Sequence, residues 1–472
     1  MRLLKPFLFS ISMILFHLVR CLYAQDITDA EYLQLKDKLK SEFMQKLKEE
    51  IKSELIKELK AEYTIVPKEK HPAETGVVLK TETAQPDIAG NQTDNREDEG
   101  KEDSVIKSGD MKTAEQSEDI SALELDRAHY KLGEGITFGE QLLHIRGFGN
   151  VNARYQDNNV SERSARGDNF FSLGEFDLFM TSKLSNRISF LNETVFEFEH
   201  DETEIDIERL LIHYDINNLL KIEVGKFFLP IGYWIPTYNH GLWFQTSADR
   251  PDIVNFQDKG GPIPTHDTGI KLLGNALLEG ADVNYAFAVT NGRGIDTTQR
   301  QNFGDANDKK ALSMQIEVLP HCIAEGLRLG PSIYYDVIPE DTANQNRKNE
   351  IRELIYGGHA AYTFRNTEVL MEVFEINHDE ISGSVFNTFG GYLQLAYSIN
   401  KYKPYYRYDY IDYSDNDPFY NESKFNYFDT KRHTLGLRYD ISHFNALKLE
   451  YSHGVIDGED SNALVLQTAF SF

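Results

Sequence analysis

Residues 432–452 read RHTLGLRYDISHFNALKLEYS, with apolar and polar side chains alternating on both sides of a turn at 443–445. Successive side chains of a β-strand point to opposite faces of the sheet, so this pattern predicts a hairpin with one apolar and one charged face. The apolar positions are Leu435, Leu437, Tyr439, Ile441, Leu447, Leu449 and Tyr451. Such a face must be covered, either by a second sheet or by lipid.

The same alternation continues from residue 141 to residue 472. Seven short polar turns alternate with eight more variable connections, which predicts sixteen strands with both chain ends on the short-turn side. These 332 residues allow about 21 for each strand with its connection, enough for the strands of about 9–11 residues that cross a membrane at a tilt. The short turns are predicted near 185–186, 217–218, 274–278, 320–325, 365–366, 400–401 and 443–445. The variable connections are predicted near 157–169, 200–203, 230–265, 291–309, 339–350, 379–384, 414–427 and 454–461.

Two features favour a membrane barrel over a soluble double sheet. Acidic residues between 193 and 208 share one face of a predicted hairpin, and Phe and Ile side chains share the other. In lipid the apolar face points outwards and the acidic face lines water, whereas a solvated edge hairpin is the alternative for this run alone. The last strand alternates to the end of the sequence, with Leu464, Leu466, Thr468, Phe470 and Phe472 on one face. We therefore predict an all-β fold, a 16-stranded antiparallel transmembrane β-barrel over 141–472, preceded by a long N-terminal α-helix and a disordered linker.

Several stretches resemble the porin O/P family of outer-membrane channels, including its members with a periplasmic N-terminal coiled coil. They are FDLFMTSKLSNRISFLNETVFEF (176–198), IEVGKFFLPIGYWIPTYN (222–239), YAFAVTNGRG (285–294) and LGLRYDISHFNALKLEY (435–451). The resemblance implies a homotrimer of sixteen-stranded barrels in the bacterial outer membrane, each with a third outer loop that folds inwards and narrows the pore. The final strand, with Phe470 and Phe472, resembles the membrane assembly signal of bacterial outer-membrane barrels.

The N-terminal residues divide into three predicted segments. Residues 1–24 combine basic residues with an apolar run of 14, the layout of a cleaved secretory signal, whereas a permanent membrane helix needs about 20 apolar residues. Residues 26–63 predict a long periplasmic helix whose apolar stripe indicates a self-associating coiled coil, with a solvated single helix as the alternative. Residues 64–125 contain too few apolar residues to form a core, which predicts a disordered linker.

The connection at 230–265 is the longest predicted in the barrel, and long loops in compact folds are usually functional. We expect it to fold into the lumen as the third extracellular loop, where its aromatic residues set the pore width. Arg250 and Lys259 are expected to face acids such as Asp249, Asp252 and Asp258, creating a transverse field. An outward lid that contacts neighbouring subunits or surface polysaccharide is the alternative. The candidate constriction residues are Trp234, Tyr238, His240, Trp243, Asp249, Arg250, Asp252 and Lys259.

Charged residues on the polar strand faces are expected to line the lumen. Residues 141–472 contain 29 basic and 47 acidic residues, a net charge of −18, and no dense ladder of Arg or Lys. Because rings of charge select ions by sign, we expect a weakly cation-preferring or unselective channel rather than a phosphate-selective one. The candidate lumen residues are Arg146, Arg154, Lys183, Glu193, Glu197, Glu204, Asp206, Glu208, Arg407 and Arg438.

The composition argues against other classes of protein. The whole chain has 49 basic and 75 acidic residues, a net charge of −26, which disfavours nucleic acid as a partner. No metal-binding, nucleophile-elbow or phosphate-loop motif occurs, so we expect no enzyme activity, cofactor or metal. Ser452 and His453 point to opposite faces of one strand and cannot serve one another in hydrolysis.

A structural role is the second functional hypothesis. The N-terminal helix could bind a periplasmic or cell-wall partner and make the barrel an anchor that tethers the envelope. An anchor, however, needs only eight strands to fill its own interior, while sixteen leave an aqueous opening. We therefore expect a porin that passes small hydrophilic solutes or ions.

Overall fold

A computed structural model describes the barrel region of the chain. The described residues are 128–131, 135–138, 143–158, 169–199, 202–238, 241–295, 297, 304–341, 349–380, 383–421 and 427–472. The predicted signal sequence, helix 26–63 and linker 64–125 lie outside them, as does His240. Over the described residues, no helix combines the length and apolar character needed to cross a membrane.

Eighteen strands and four short helical segments make up the described fold. The strands are β1 (Ala128–Lys131), β2 (Gly135–Phe138), β3 (Leu143–Asn158), β4 (Asn169–Lys183), β5 (Ile188–Glu199), β6 (Glu202–Asn217), β7 (Leu220–Phe228), β8 (His266–Leu278), β9 (Ala281–Thr290), β10 (Ala311–Leu319), β11 (Leu327–Ile338), β12 (Ile351–Phe364), β13 (Thr367–Glu380), β14 (Val385–Tyr397), β15 (Tyr402–Asp412), β16 (Thr430–Ser442), β17 (Asn445–Ile456) and β18 (Glu459–Ser471). The helical segments are α1 (Trp234–Tyr238), α2 (Pro418–Asn421) and the 3₁₀ turns Asp252–Val254 and Gln257–Lys259.

The sixteen long strands β3–β18 form a closed antiparallel barrel. Each pairs with its neighbours in sequence, and β18 pairs back with β3 from Ser461↔Asn158 to Ser471↔Phe148. The predicted sixteen-stranded barrel is therefore confirmed. The short hairpin β1–β2 was not predicted; β2 continues along β3 past the end of β18, pairing Phe138 with Leu143.

Three predicted connections were wrong in position or length. The turn predicted at 274–278 lies at 279–280, where Gly280 adopts φ 83°. Gly274 and Asn275 are instead strand residues, and the Asn275 amide donates to Asn284 at 2.7 Å. The polar side chain of Asn275 thus makes a hydrogen bond inside the barrel and does not mark a turn. The connections predicted at 200–203 and 454–461 leave only two residues between strands.

The two faces of the wall differ in polarity as the alternation predicts. Large apolar side chains exposed on the outward face include Leu435, Leu437, Leu447, Leu449, Leu464 and Leu466. Polar side chains occupy the opposite face and are mostly buried. Two aromatic residues, Phe148 and Phe179, occupy the polar face of their strands and so break the alternation. Phe148 packs on Phe244 of the β7–β8 connection at 4.9 Å between ring centroids, and Arg209 lies 5.3 Å from the Phe179 ring.

The C-terminal aromatic residues lie on the seam where the barrel closes. The main chains of Phe472 and Gly147 exchange two hydrogen bonds, at 3.0 and 2.9 Å. The Phe472 ring covers Gly147, where an added Cβ would lie 2.1 Å from it, and stacks on Phe176 at 5.8 Å. Phe470 covers Gly149 in the same way. The two glycines of β3 thus make room for the aromatic side chains at the C-terminal end of the chain.

Candidate functional site

The connection between β7 and β8, residues 229–265, is called the long loop below. It contains α1 and both 3₁₀ turns and spans 37 residues, against 20 for the connection 291–310 between β9 and β10. Eight of its residues belong to the largest apolar cluster among the described residues, and the other ten members come from β7 and β10–β15. The long loop therefore packs against one side of the wall.

A buried carboxylate holds the beginning of the long loop. Glu372 accepts hydrogen bonds from the backbone N–H groups of Tyr233 (2.6 Å) and Trp234 (2.9 Å) and from the Tyr392 hydroxyl (2.7 Å). Gly232 makes this approach possible, because it adopts φ 66° and an added Cβ would lie 2.1 Å from Glu372 Oε2. Charged acceptors form the stronger hydrogen bonds in proteins, so this attachment is firm.

Three cations of the wall hold the middle of the long loop by its carbonyl groups. They come from neighbouring strands: Arg407 from β15, Arg438 from β16 and Lys448 from β17. The contacts are Arg407 with the carbonyls of Asp249 (2.8 Å) and Arg250 (3.1 Å), Arg438 with those of Trp243 and Gln245 (both 2.8 Å), and Lys448 with those of Leu242 (2.5 Å) and Ser247 (2.8 Å).

Acidic residues of the same wall accept hydrogen bonds from backbone N–H groups of the long loop. Glu450 accepts from the Ala248 N–H at 2.8 Å, and Asp409 from the Asp252 N–H at 3.1 Å. Arg407 is only 1% exposed. The sequence predicts that Arg407 and Arg438 face the lumen, but both donate hydrogen bonds to the long loop's carbonyl groups, and each also pairs with a carboxylate of its own strand, Asp409 or Asp440. Their charges therefore lie beneath the long loop.

The aromatic residues of the long loop pack against the wall. Trp234 is fully buried, with its ring 5.0 Å from Tyr238 and 5.8 Å from Tyr392. Trp243 contacts Phe244 at 5.0 Å. Trp234 was predicted to set the pore width, but in the structure it fills the core between the long loop and the wall.

A cavity of about 510 Å³ remains between the tip of the long loop and the wall formed by β3, β4, β5, β16 and β18. Three ion pairs bridge the long loop and the wall beside it. They are Arg154–Asp249 (2.6 Å), Arg432–Asp252 (3.3 Å) and Lys259–Glu197 (3.0 Å), with Glu175 3.5 Å from the same lysine. Unlike Arg407, the side chains of Arg154 and Lys259 are 24% and 31% exposed. These are the charges that a solute in the cavity can meet.

The expected pairing of charges within the long loop differs from the observed one. Lys259 pairs with wall carboxylates, and Asp249 with a wall arginine. Arg250 lies 3.8 Å over the Phe256 ring and donates to the Val254 carbonyl at 3.1 Å. Charges close in sequence on an irregular loop point in different directions, so their partners come from elsewhere. The side chain of Asp258 lies outside the described residues.

The pKa of Asp249 follows from these contacts. Burial raises it, but the charge and hydrogen bond of Arg154, together with the charges of Arg407 and Arg432, outweigh burial and hold the pKa below its ordinary value. Asp249 therefore stays ionised at neutral pH and keeps its pair with Arg154.

The remaining predicted lumen residues lie on the polar strand faces. Glu193 pairs with Arg209 at 2.5 Å, and Glu208 lies 3.2 Å from His266. Glu204 opposes Glu197 in the register, Asp206 opposes Val195, Arg146 opposes Phe179 and Lys183 opposes Ser189. Alternation does not predict Arg209 as a site residue, because a register shift at Glu193/Thr194 moves it out of phase with the rest of its strand.

A second buried network, also missed, joins two other connections to the wall. His378 of β13 lies 2.7 Å from Asp417 and 3.0 Å from Glu353. Arg293 lies 3.0 Å from the same glutamate. Burial lowers the pKa of Arg293, but the negative charge of Glu353 is the largest of the effects that outweigh burial and raise this pKa. Asp417 and Arg293 belong to the connections after β15 and β9, so both connections are held inward. Among described side chains, no group of three or more His, Cys, Asp or Glu could hold a metal ion.

Comparisons with known proteins identify the fold. No protein-family model and no curated protein matches the sequence. The anion-selective porin from Comamonas acidovorans is similar in structure, with a TM-score of 0.50 and 12% identity over 70% of this chain and 99% of that one. The outer-membrane channel DcaP of Acinetobacter baumannii is similar too, with a TM-score of 0.50 and 13% identity over 72% of this chain and all of that one. The chain thus has the sixteen-stranded barrel fold of the bacterial outer-membrane porins.

Proposed function

We propose that the protein is an outer-membrane porin, a passive diffusion channel for small hydrophilic solutes or ions. The observation that carries the proposal is the long loop bound by its backbone to the polar face of a sixteen-stranded barrel, beside a charged cavity. Sixteen strands enclose more space than side chains alone can fill, so the interior admits water.

The polarity of the wall supports a place in the outer membrane. The outward face exposes Leu, Ile, Val and Tyr side chains on most strands, and the opposite face carries charged and amide side chains. Lipid covers the first kind of surface and water the second. We infer that the barrel spans the outer membrane with the long loop on the extracellular side, as the resemblance to the porin O/P family implies.

The long loop is the proposed constriction. Its hydrogen bonds reach inward-facing residues of β13, β15, β16 and β17, which favours an inward-folded loop over an outward lid. In this account Asp249, Arg250, Asp252 and Lys259 set the polarity of the narrow zone. Trp234 and Tyr238 fix the position of the loop rather than lining the opening.

Weak ion selectivity follows from the charges around the cavity. Its lining contains four cations and four acids, Arg154, Arg250, Lys259, Arg432, Glu175, Glu197, Asp249 and Asp252. Local charge is thus balanced, although residues 141–472 carry a net charge of −18. Selectivity arises where charged rings are closest to the ion, so we expect at most a modest cation preference.

The proposal includes parts that rest on the sequence alone. Residues 1–24 act as a secretory signal, and residues 26–63 form a periplasmic coiled coil that serves a homotrimer. The chain belongs, in this proposal, to the porin O/P family without its phosphate selectivity. Envelope tethering through the N-terminal helix is compatible with a channel, and we propose it only as an added role.

Single-channel recording tests the proposal. Protein in a planar lipid bilayer should give discrete current steps in KCl, and deletion of residues 240–260 should enlarge them because the constriction is gone. Deletion of 304–308, which are mostly exposed residues of the connection after β9, is the control and should leave the step size unchanged. Equal steps from the intact protein and the 240–260 deletion would contradict the constriction, and a folded protein that passes no current would contradict the channel.

A further inference from the structure

The cavity beside the long loop separates its wall charges by sign. Arg432 lies on β16 and Arg154 on β3, whereas Glu175 and Glu197 lie on β4 and β5. Around the barrel these strands follow the order β16, β17, β18, β3, β4 and β5. Two arginines therefore flank one side of the cavity and two carboxylates the other. The cavity, at about 510 Å³, is within the range of pockets that enclose small molecules.

Side chains of the long loop occupy both ends of this arrangement. Asp249 presents a carboxylate to Arg154, and Lys259 presents an ammonium group to Glu197. Asp249 and Lys259 are 32% and 31% exposed. Because the loop's member of each pair is partly exposed, a solute that carries the same two charged groups can compete with Asp249 for Arg154 and with Lys259 for Glu197.

The distance between the two ends selects the length of the solute. The backbone N–H of Glu175 donates to the Asn150 side chain at 3.0 Å, so Glu175 lies beside Asn150, four residues from Arg154 along β3. At a strand rise of about 3.3 Å per residue, the backbone positions that carry the two ends are about 13 Å apart along the strand. The charged groups of a single amino acid are too close together to reach both. An extended peptide spans at most about 3.3–3.6 Å per residue, so about four residues bridge the gap.

We propose that the cavity binds short zwitterionic peptides of about four residues, with the peptide carboxylate at Arg154 and its ammonium group at Glu175 and Glu197. The inference rests on the proposed channel function and names its solute class. The bound peptide displaces Asp249 and Lys259 from their partners. Between the two ends, the amide side chains of Asn150, Asn152 and Gln467 line the cavity and match the hydrogen-bonding groups of a peptide backbone.

The test measures how strongly each added probe blocks the KCl current through the full-length protein in a planar bilayer. Three probes are compared: tetraalanine, N-acetyl-tetraalanine amide, which has no charged ends, and free alanine. We expect tetraalanine to half-block the current at a concentration lower by about fivefold or more than the other two probes require. Equal half-blocking concentrations for tetraalanine and its uncharged analogue would overturn the proposal.

Two variants test each end separately. Arg154→Gln and Glu197→Gln should each raise the half-blocking concentration of tetraalanine by about fivefold, and leave that of the uncharged analogue unchanged. Arg352→Gln is the control, because this residue pairs with Asp379 and does not line the cavity. Current steps in each variant report that it is folded. No current from the unaltered protein would contradict the channel itself, whereas current without preference for charged peptide ends would contradict the peptide site alone.

Discussion

The substitution Glu372→Leu removes the acceptor that holds the beginning of the long loop. It leaves the N–H groups of Tyr233 and Trp234 and the Tyr392 hydroxyl without their buried partner. Each buried donor that is left without an acceptor costs about 1–3 kcal/mol. The substitution also removes the cost of burying a carboxylate away from water, which offsets several kcal/mol of the total for the three donors. We expect attachment of the long loop to weaken by about 2–5 kcal/mol, which shifts the balance between bound and released loop by a factor of about 30 or more.

Single-channel recording and limited proteolysis measure this effect. The Leu variant should show larger mean conductance, stronger current fluctuations and faster cleavage within residues 229–265. Glu372→Gln keeps one carbonyl acceptor and should give a smaller change of the same kind. Glu375→Gln is the matched control, because Glu375 lies on the same strand and faces outwards. A Glu372→Leu protein with the conductance, noise and cleavage rate of the unaltered protein would refute the reasoning.

Three further predictions concern the seam, pH and ion selectivity. Gly147→Val places a side chain against the Phe472 ring and should lower the stability of the folded barrel by about 1–3 kcal/mol, measured by urea unfolding in lipid vesicles. The double variant with Phe472→Ala should recover part of this loss. Full stability of the single variant would contradict the packing of Phe472 on Gly147. The pKa of Asp249 lies below its ordinary value, so its pair with Arg154 stabilises the position of the long loop above about pH 4 and is lost as the pH falls through that lowered value. Current noise should therefore rise only below about pH 4. Asp249→Asn should show this noise already at neutral pH. A reversal potential in a KCl gradient should indicate weak cation preference, and a strong anion preference would overturn the assignment of the cavity charges.

The sequence predicts the barrel well because its strands follow a local rule. A period of two residues marks each strand, and polar or glycine residues mark most turns, so strand number and closure follow without knowledge of any contact. The rule fails where polar residues serve another purpose. Gly274 and Asn275 read as a turn, but the first accommodates the Tyr285 ring and the second bonds inside the barrel.

The arrangement of the long loop depends on contacts between residues far apart in sequence. Its length, aromatic content and charges single it out, but Arg407 and Asp249 are separated by 158 residues along the chain. Alternation alone assigns Arg407 to the inner face and cannot tell that the loop's backbone covers it. The same holds for Lys259, whose partners Glu175 and Glu197 lie 84 and 62 residues away along the chain.

The central claim is that the barrel encloses a water-filled path through the membrane, and the ion current through one molecule tests it most directly. Single-channel conductance of the purified full-length protein, measured over a series of KCl concentrations, should rise in proportion to salt concentration, as expected for ions crossing in water. A protein that is inserted and folded as a β-barrel, yet gives no current at any salt concentration, would contradict the account.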